Sequence, residues 1–267
     1  MYVLPSLFTV GTLVCGYYAL LKTLQGVQMM AAGAGANFAG SFFDSASMAI
    51  GLAILFDGLD GRIARLTNAT SNFGREFDSL ADVIAFGVAP GLLVYAWGVR
   101  SAIDPSGAPW THHLRPIGWI ASFAFLICGA ARLARFNIDS TKPGDDRRYF
   151  VGLPIPAAAG VIAAVVHWEK TPLTNWPIAL IWLAATLALA FLMVSRVRYY
   201  TFKTLDLRRR RPYVTIILIG LIIWAIVFYS EPVLLTMALT YALSGILHEI
   251  PSKGRPSPPA PAEVRVP

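Results

Sequence analysis

The sequence predicts an all-α polytopic membrane protein. Of its 267 residues, 56% are hydrophobic and 14% are charged, whereas about 25% of residues are charged in an average soluble domain. The mean hydropathy is +0.58. A disordered chain is excluded, and an ordinary soluble enzyme is disfavoured because a soluble domain of this size needs more charge to cover its surface.

Eight apolar runs have the length of roughly 17–25 residues with which a helix crosses a bilayer. The second and third carry aspartates at their ends. The last two are separated by a tight turn at Pro232, and we expect a hairpin there because together they are too long for one span. We therefore expect about eight transmembrane helices, at approximately residues 4–24, 38–56, 76–98, 116–136, 151–168, 176–195, 213–229 and 232–248.

The lysines and arginines divide unevenly between the two sides of such a bundle. With an even number of spans and both termini on one side, 18 of the 22 basic residues fall on that side. Cytoplasmic loops carry the excess of basic residues, so the sequence predicts that both termini face the cytoplasm. The net charge of +7 then indicates contact with anionic lipid headgroups rather than with nucleic acid.

Four aspartates lie where the second span ends and the third begins, in the stretch DGLDGRIARLTNATSNFGREFDSLAD at 57–82. If the second helix continues through residue 65, Asp57 and Asp60 share one of its faces, and Asp78 and Asp82 likewise share a face of the third. The linker is polar, so we expect the two helices to be antiparallel neighbours. Four carboxylates then converge near the cytoplasmic boundary.

Converging carboxylates repel one another, and a divalent cation is the natural counter-charge. A hard site of oxygen ligands suits Mg²⁺, Mn²⁺ or Ca²⁺ rather than zinc, and two ions would suit a reaction at phosphorus. The alternative is that the aspartates are solvated helix ends paired with neighbouring arginines. Four acids at this spacing in an acid-poor membrane protein favour a functional site.

The same stretch resembles the motif of the CDP-alcohol phosphatidyltransferases, D-x2-D-G-x2-A-R-x8-G-x3-D-x3-D. Every spacing is kept, and a chance match is on the order of one in 10¹⁰ per starting position. The matching positions are Asp57, Asp60, Gly61, Ala64, Arg65, Gly74, Asp78 and Asp82.

The resemblance extends to the phosphatidylserine synthase branch of that family through about the first 160 residues, although Ser6 stands where that branch often has Asn. It implies a six-helix catalytic core at 1–200. Residues 201–250 would add a basic cytoplasmic loop and a helical hairpin, and the Pro-rich tail 251–267 is predicted to be disordered. The segments that carry this part of the resemblance are LPSLFTVGTLVCGYYAL at 4–20, FGREFDSLADVIAFGVAPG at 73–91, GAARLARFN at 129–137 and VGLPIPAAAG at 151–160.

The resemblance implies transfer of a phosphatidyl group from CDP-diacylglycerol to the hydroxyl of serine, with release of CMP. It implies two ions, Mg²⁺ or Mn²⁺, the first held by Asp57, Asp60 and Asp78. Asp57, Asp78 and Asp82 would hold the second, and Asp82 would also be the general base. The family further suggests a homodimer.

Other residues are assigned to substrates by the same resemblance. Gly61 would let the nucleotide lie against the helix, and Arg65 would pair with phosphate. Ser71 matches a position that contacts the nucleotide, with its neighbour Thr70 as the alternative. Arg132 and Arg135, three apart at the end of the fourth span, would line the acceptor pocket or bind anionic headgroups.

Two alternatives stay open. The first keeps the chemistry and changes the acceptor to inositol phosphate or glycerol phosphate, or the donor to an archaeal-type lipid. The second is a divalent-ion transporter that uses the aspartates as its pathway. Transporters place their sites near the midplane of the bilayer, whereas these aspartates lie at one end of the spans, so the enzyme is favoured.

Overall fold

The computed structural model describes residues 3–66, 72–100, 102, 113–139, 149–200 and 212–249. Within these ranges the chain is a bundle of α-helices, and each of the eight predicted spans is helical over most of its length. The helices are α1 (Val3–Ala31), α2 (Ala36–Leu66), α3 (Asn72–Asp82), a π-helical segment (Val83–Val88), α4 (Ala89–Gly98), α5 (Leu114–Asp139), α6 (Ile155–Glu169), α7 (Trp176–Val194), α8 (Pro212–Phe228) and α9 (Ser230–Glu249).

The helices confirm the predicted all-α polytopic membrane fold. Among the described residues, five helical stretches are long and apolar enough to cross a bilayer, and α6 is a shorter apolar helix of 15 residues. The total of eight spans stays a prediction. The five stretches are Leu7–Ala31, Ala36–Ile63, Phe73–Gly98, Leu114–Ile138 and Trp176–Val194.

Two helices are longer than the apolar runs that predicted them. Helix α1 continues to Ala31, where Gly33 takes a positive φ of 78° and its N–H donates to the carbonyl of Met30. That left-handed turn closes the helix end. Helix α2 continues through residue 65, as the aspartate pattern required, so Asp57 and Asp60 belong to the helix itself.

Two short strands were not predicted. Strand β1 (Tyr149–Val151) precedes α6 and pairs antiparallel with β2 (Arg198–Tyr200), which follows α7. Gly152, with a φ of 82°, continues this contact by donating its N–H to the carbonyl of Val197 at 2.8 Å. The pairing joins the entry of α6 to the exit of α7 at one end of the bundle.

The bundle core is built from aromatic and small side chains. Phe43, Phe86, Trp97 and Phe125 are fully buried. Trp97 packs edge-to-face on Trp182 with ring centroids 5.2 Å apart. The indole of Trp97 donates to the carbonyl of residue 170 at 3.1 Å, and that of Trp182 donates to the carbonyl of residue 94 at 3.2 Å. These contacts fix α4 against α7 and the end of α6.

The predicted C-terminal hairpin is present, because α8 ends at Phe228 and α9 begins at Ser230. Helix α9 packs against α6. Tyr199, fully buried, donates its hydroxyl to the carbonyl of Ala242 at 3.1 Å, which ties α9 to β2. The basic loop 201–211 and the tail 251–267 lie outside the described residues.

Candidate active site

The fold brings three of the four predicted aspartates together. Asp57 extends from α2, and Asp78 and Asp82 lie one turn apart on α3. One carboxylate oxygen of each lies within 4.8 Å of the others. Asp57 and Asp78 are half-buried and Asp82 is buried, so the cluster is open on one side and closed on the other.

Asp60 lies one turn further along α2 and is outside this group of three. Its side chain is buried, and the hydroxyl of Thr9 on α1 donates a hydrogen bond to Oδ2 of Asp60. Asp60 remains close enough to interact electrostatically with Asp78 and Asp82. The carboxylates therefore form a cluster of three with a fourth held beside it by α1.

A change of helix type follows the cluster directly. The α-helical hydrogen bonding of α3 ends at Asp82, and the chain is π-helical from Val83 to Val88. Such π-helical turns are rare and occur often at functional sites. Here the turn coincides with a close approach of α1, since a Cβ added to Gly16 would meet the Cα of Ala85 at 2.7 Å. The backbone that carries Asp82 is thus fixed by α1 as well as by its own helix.

The two arginines of α5 take different positions. Arg132 is buried, its guanidinium lies 5.4 Å from the centre of the Phe136 ring, and it interacts electrostatically with Asp82 and Asp57. Arg135 is exposed and donates to the carbonyl of Val194 at 3.3 Å. Arg132 is therefore near enough to the carboxylates to offset part of their charge, whereas Arg135 links α5 to the end of α7.

The residues predicted to bind nucleotide are only partly placed. Gly61 is exposed on α2, immediately after Asp60. Arg65 belongs to the last turn of α2. Ser71 and its alternative Thr70 lie outside the described residues.

The carboxylate cluster fits a divalent cation. Its donors are all oxygens, which suits Mg²⁺, Mn²⁺ and Ca²⁺. Oδ1 of Asp82 is buried and has no hydrogen-bond partner among the described residues. Burial of a carboxylate oxygen without a hydrogen-bond partner costs free energy of folding unless a cation binds that oxygen. Asp57, Asp78 and Asp82 are therefore the residues best placed to hold a metal.

Sequence reasoning missed two polar contacts around the cluster. One is the hydroxyl of Thr9, whose position in an apolar run gave no reason to pair it with an aspartate 51 residues away. The other joins α3 to α5, where Nδ2 of Asn137 donates to the hydroxyl of Ser79 at 2.9 Å. The spacing of the threonines of α1 and of Gly16, at positions 9, 12, 16 and 23, could have indicated its inward face.

Comparison with known proteins agrees with this arrangement. The sequence model of the CDP-alcohol phosphatidyltransferase family matches residues 2–194, which include α1 to α7. A Helicobacter pylori protein named CDP-diacylglycerol–serine O-phosphatidyltransferase is 38% identical over 205 residues, which cover 76% of this chain and 74% of that protein.

Two further relatives carry the same name. The Bacillus subtilis protein is 30% identical over 200 residues, covering 75% of this chain and 91% of its own. The Mycobacterium leprae protein is 32% identical over 199 residues, covering 72% of this chain and 61% of its own.

Proposed function

Because the chain belongs to the CDP-alcohol phosphatidyltransferase family, we propose that it is the enzyme that transfers the phosphatidyl group of CDP-diacylglycerol to L-serine, giving phosphatidylserine and CMP. The observation that carries the proposal is the cluster of Asp57, Asp78 and Asp82 at one end of the bundle. The family match covers the helices that build this cluster. The choice of serine rests on the relatives, which are named for it.

The aspartates are the proposed ligands of two ions, Mg²⁺ or Mn²⁺. Asp57, Asp60 and Asp78 would hold one, and Asp57, Asp78 and Asp82 the other. Divalent cations bound there neutralise the charge of the pyrophosphate and of the oxygens around the reacting phosphorus. The hydrogen bond from Thr9 orients Asp60, so α1 contributes to the shape of the ligand set.

Asp82 is the proposed general base. It accepts the proton of the serine hydroxyl as that oxygen attacks the phosphorus on the lipid side of the pyrophosphate, and CMP leaves. The buried position of Asp82 limits the access of water that would compete for the proton. Arg132 balances the negative charge of the cluster from α5. It would also be available to a carboxylate or phosphate of the substrates.

The donor nucleotide is proposed to lie along α2. Gly61 has no side chain there and is exposed, which leaves room for a nucleotide beside the first aspartates. Arg65 would pair with a phosphate oxygen, and Ser71 would contact the nucleotide. Residues 1–200 are thus the proposed catalytic core, with 201–250 as an addition to it.

We place the cluster on the cytoplasmic side of the membrane, where both termini and most basic residues would lie. The substrate CDP-diacylglycerol would reach it from the bilayer and serine from the cytoplasm, and the enzyme would act as a homodimer. Single cysteines introduced in the loop 201–211 should react with an impermeant maleimide only when the cytoplasmic face is exposed. Reaction from the opposite face of intact cells would contradict this orientation.

The proposal is tested by CMP release from purified protein in detergent, with CDP-diacylglycerol and Mn²⁺ or Mg²⁺, and with acceptors added singly. Release with serine, and its loss on chelation of the metal, is the expected result. Release only with glycerol phosphate or inositol phosphate would keep the chemistry and change the acceptor. Folded protein that releases no CMP with any acceptor would favour a divalent-ion transporter instead.

A further inference from the structure

A second polar cluster lies far from the aspartates. Nδ1 of His167, in the last turn of α6, is 2.5 Å from Oδ1 of Asp44 on α2. Nε2 of the same ring is 2.9 Å from the hydroxyl oxygen of Ser230, the first residue of α9. Three helices that are distant in sequence therefore contribute one residue each to a continuous chain of hydrogen bonds.

This cluster is at the opposite end of the bundle from the carboxylates. Asp44 precedes Asp57 by 13 residues on the same helix, which corresponds to about 20 Å along the helix axis. Helix α6 runs antiparallel to α2, since Gly40 lies beside Lys170 and Gly160 beside Ile54. Its last turn therefore ends beside Asp44.

Ser230 also lies beyond the part of the chain that the family shares, since the family match ends at residue 194. The cluster is therefore completed by a helix that is outside the matched core. The phosphatidyl transfer proposed above gives no role to any of its three residues.

The order of the contacts is the one that activates a serine. In the tautomer that the proposal requires, Nδ1–H of His167 donates a hydrogen bond to Oδ1 of Asp44, which leaves Nε2 as the hydrogen-bond acceptor. The hydroxyl of Ser230 then donates to Nε2, so the imidazole is placed to take its proton. The His167 side chain is 8% exposed and that of Asp44 is 20% exposed, which shields their contact from water, while Ser230 is only half-buried.

A second contact between α6 and α9 holds Ser230 at this place. The ammonium of Lys170 donates a hydrogen bond to the carboxylate of Glu231, the residue after Ser230. That hydrogen bond raises the pKa of Lys170, so the ammonium stays charged. The backbone carbonyl of Lys170 in turn accepts the hydrogen bond from the indole of Trp97, which fixes the end of α6 to the core.

We propose that Ser230 is the nucleophile of a second, hydrolytic centre that cleaves carboxylic esters of membrane lipids, with His167 as its base and Asp44 as the residue that orients the histidine. The lipid substrate follows from the surroundings. Trp168, Phe228 and Tyr229 are 49%, 66% and 59% exposed beside the cluster. Tryptophan and tyrosine are enriched where a membrane protein meets the headgroup region, and the ester carbonyls of glycerolipids lie at that depth.

The reaction balances with water as the only co-reactant. The Ser230 oxygen forms a bond to the ester carbonyl carbon while its proton passes to Nε2 of His167. The bond from that carbon to the alcohol oxygen breaks, and the alcohol takes the proton from His167. Water then attacks the acyl-serine with His167 as base, which releases the fatty acid and restores the Ser230 hydroxyl.

The proposed site also has a hydrogen-bond donor for the negative charge that develops on the carbonyl oxygen of the ester. The first backbone N–H groups of a helix have no acceptor within the helix. The N–H of Glu231 follows the nucleophile directly at the start of α9. A backbone N–H in the position after the nucleophile is a recurring part of serine hydrolase sites, where it stabilises the negative charge on the carbonyl oxygen.

The test uses the purified full-length chain in detergent and a biotinylated fluorophosphonate, which reacts with activated serines. Mass spectrometry of the digested protein should find the adduct on Ser230. Ser230→Ala should abolish the labelling of that peptide because the reacting oxygen is gone, and His167→Asn should lower it by about 10³-fold. Ser244→Ala is the matched control because its hydroxyl donates only to the Tyr241 carbonyl of the same helix, and it should label as the unmodified chain does.

The second readout is release of fatty acid from phosphatidylcholine vesicles, with p-nitrophenyl butyrate as a water-soluble comparison. Ser230→Cys is a second variant, for use if Ser230→Ala does not fold, because the thiol retains a hydrogen-bonding group at this position. We expect it to lose the release of fatty acid. An adduct confined to other serines, or none in monodisperse protein, would overturn the proposal. Cleavage of p-nitrophenyl butyrate without release from vesicles would overturn the lipid substrate.

Discussion

The contact between α1 and the π-helical segment predicts a large effect of a very small substitution. Gly16 faces the backbone of Ala85, three residues after Asp82. In Gly16→Ala the new Cβ would lie 2.7 Å from the Cα and 2.9 Å from the Cβ of Ala85, whereas ordinary contact begins at 3.4 Å. The backbones must separate by about 0.7 Å, since neither atom can rotate away.

This separation has two consequences. Overpacking of a tight core costs roughly 1–3 kcal/mol of stability. The separation also moves the helix that carries Asp82 relative to α1. Thr9, which lies two turns before Gly16 on α1, donates the hydrogen bond to Asp60, so the positions of Asp82 and Asp60 relative to each other change. A misplacement of about 1 Å in a catalytic site can reduce the rate by ~10²-fold. We therefore expect Gly16→Ala to reduce CMP release by about 10- to 100-fold.

The assay is CMP release under saturating CDP-diacylglycerol and serine, together with the thermal unfolding midpoint in detergent. Gly51→Ala is the matched control, because a Cβ at Gly51 in α2 meets nothing within 4 Å. It should keep both activity and unfolding midpoint. Equal activity and equal midpoints in both variants would refute the packing that places α1 against the π-helical segment.

Other substitutions test the roles assigned to single side chains. Asp82→Asn should keep binding of CDP-diacylglycerol and lose at least ~10²-fold in turnover, measured as CMP release against nucleotide binding; full turnover would exclude it as the base. Asp57→Asn should raise the Mn²⁺ concentration needed for half-maximal activity by tenfold or more, because one ligand charge is lost; an unchanged metal dependence would exclude it as a ligand. Thr9→Val should destabilise the protein by about 1.5–3 kcal/mol, since a buried carboxylate loses its donor, and an unchanged unfolding midpoint would contradict the contact with Asp60.

The helices could be predicted from the sequence because the signal for a membrane helix is local. A run of apolar residues of bilayer length needs no knowledge of its neighbours. The apolar run of the second span ends near residue 56, and a helix continuing through residue 65 was the condition under which Asp57 and Asp60 share one face; α2 meets that condition. The two short strands were not predicted, because strands of three residues are too short to show an alternating pattern in the sequence. They also pair across α6 and α7, which no local pattern indicates.

The part of the candidate site that could be predicted is the part that the spacing of the aspartates along the chain determines. The motif predicted that Asp57, Asp60, Asp78 and Asp82 converge, and the structure brings Asp57, Asp78 and Asp82 within one group. It could not show that Asp60 takes its hydrogen bond from Thr9, because that depends on how α1 docks. Likewise, Arg132 and Arg135 are three apart in sequence, but only the packing of α5 shows that Arg132 is buried and Arg135 exposed.

The Asp44, His167 and Ser230 cluster could not be predicted at all from spacing. Its members are separated by 123 and 63 residues, and each alone is an unremarkable polar residue near the end of a span. Only the antiparallel packing of α2 against α6, and of α9 against α6, makes them neighbours. Distant polar contacts of this kind are the part of a membrane protein that local patterns omit.

The proposed reaction at the aspartate cluster is the transfer of a phosphatidyl group to serine. The most direct measurement is the incorporation of radiolabelled serine into chloroform-extractable lipid, followed together with CMP release in the same reaction. We expect one labelled lipid per CMP released, and we expect both products to be lost on chelation of the divalent metal and in Asp82→Asn. CMP release without labelled lipid, or labelled lipid that persists in Asp82→Asn, would contradict it.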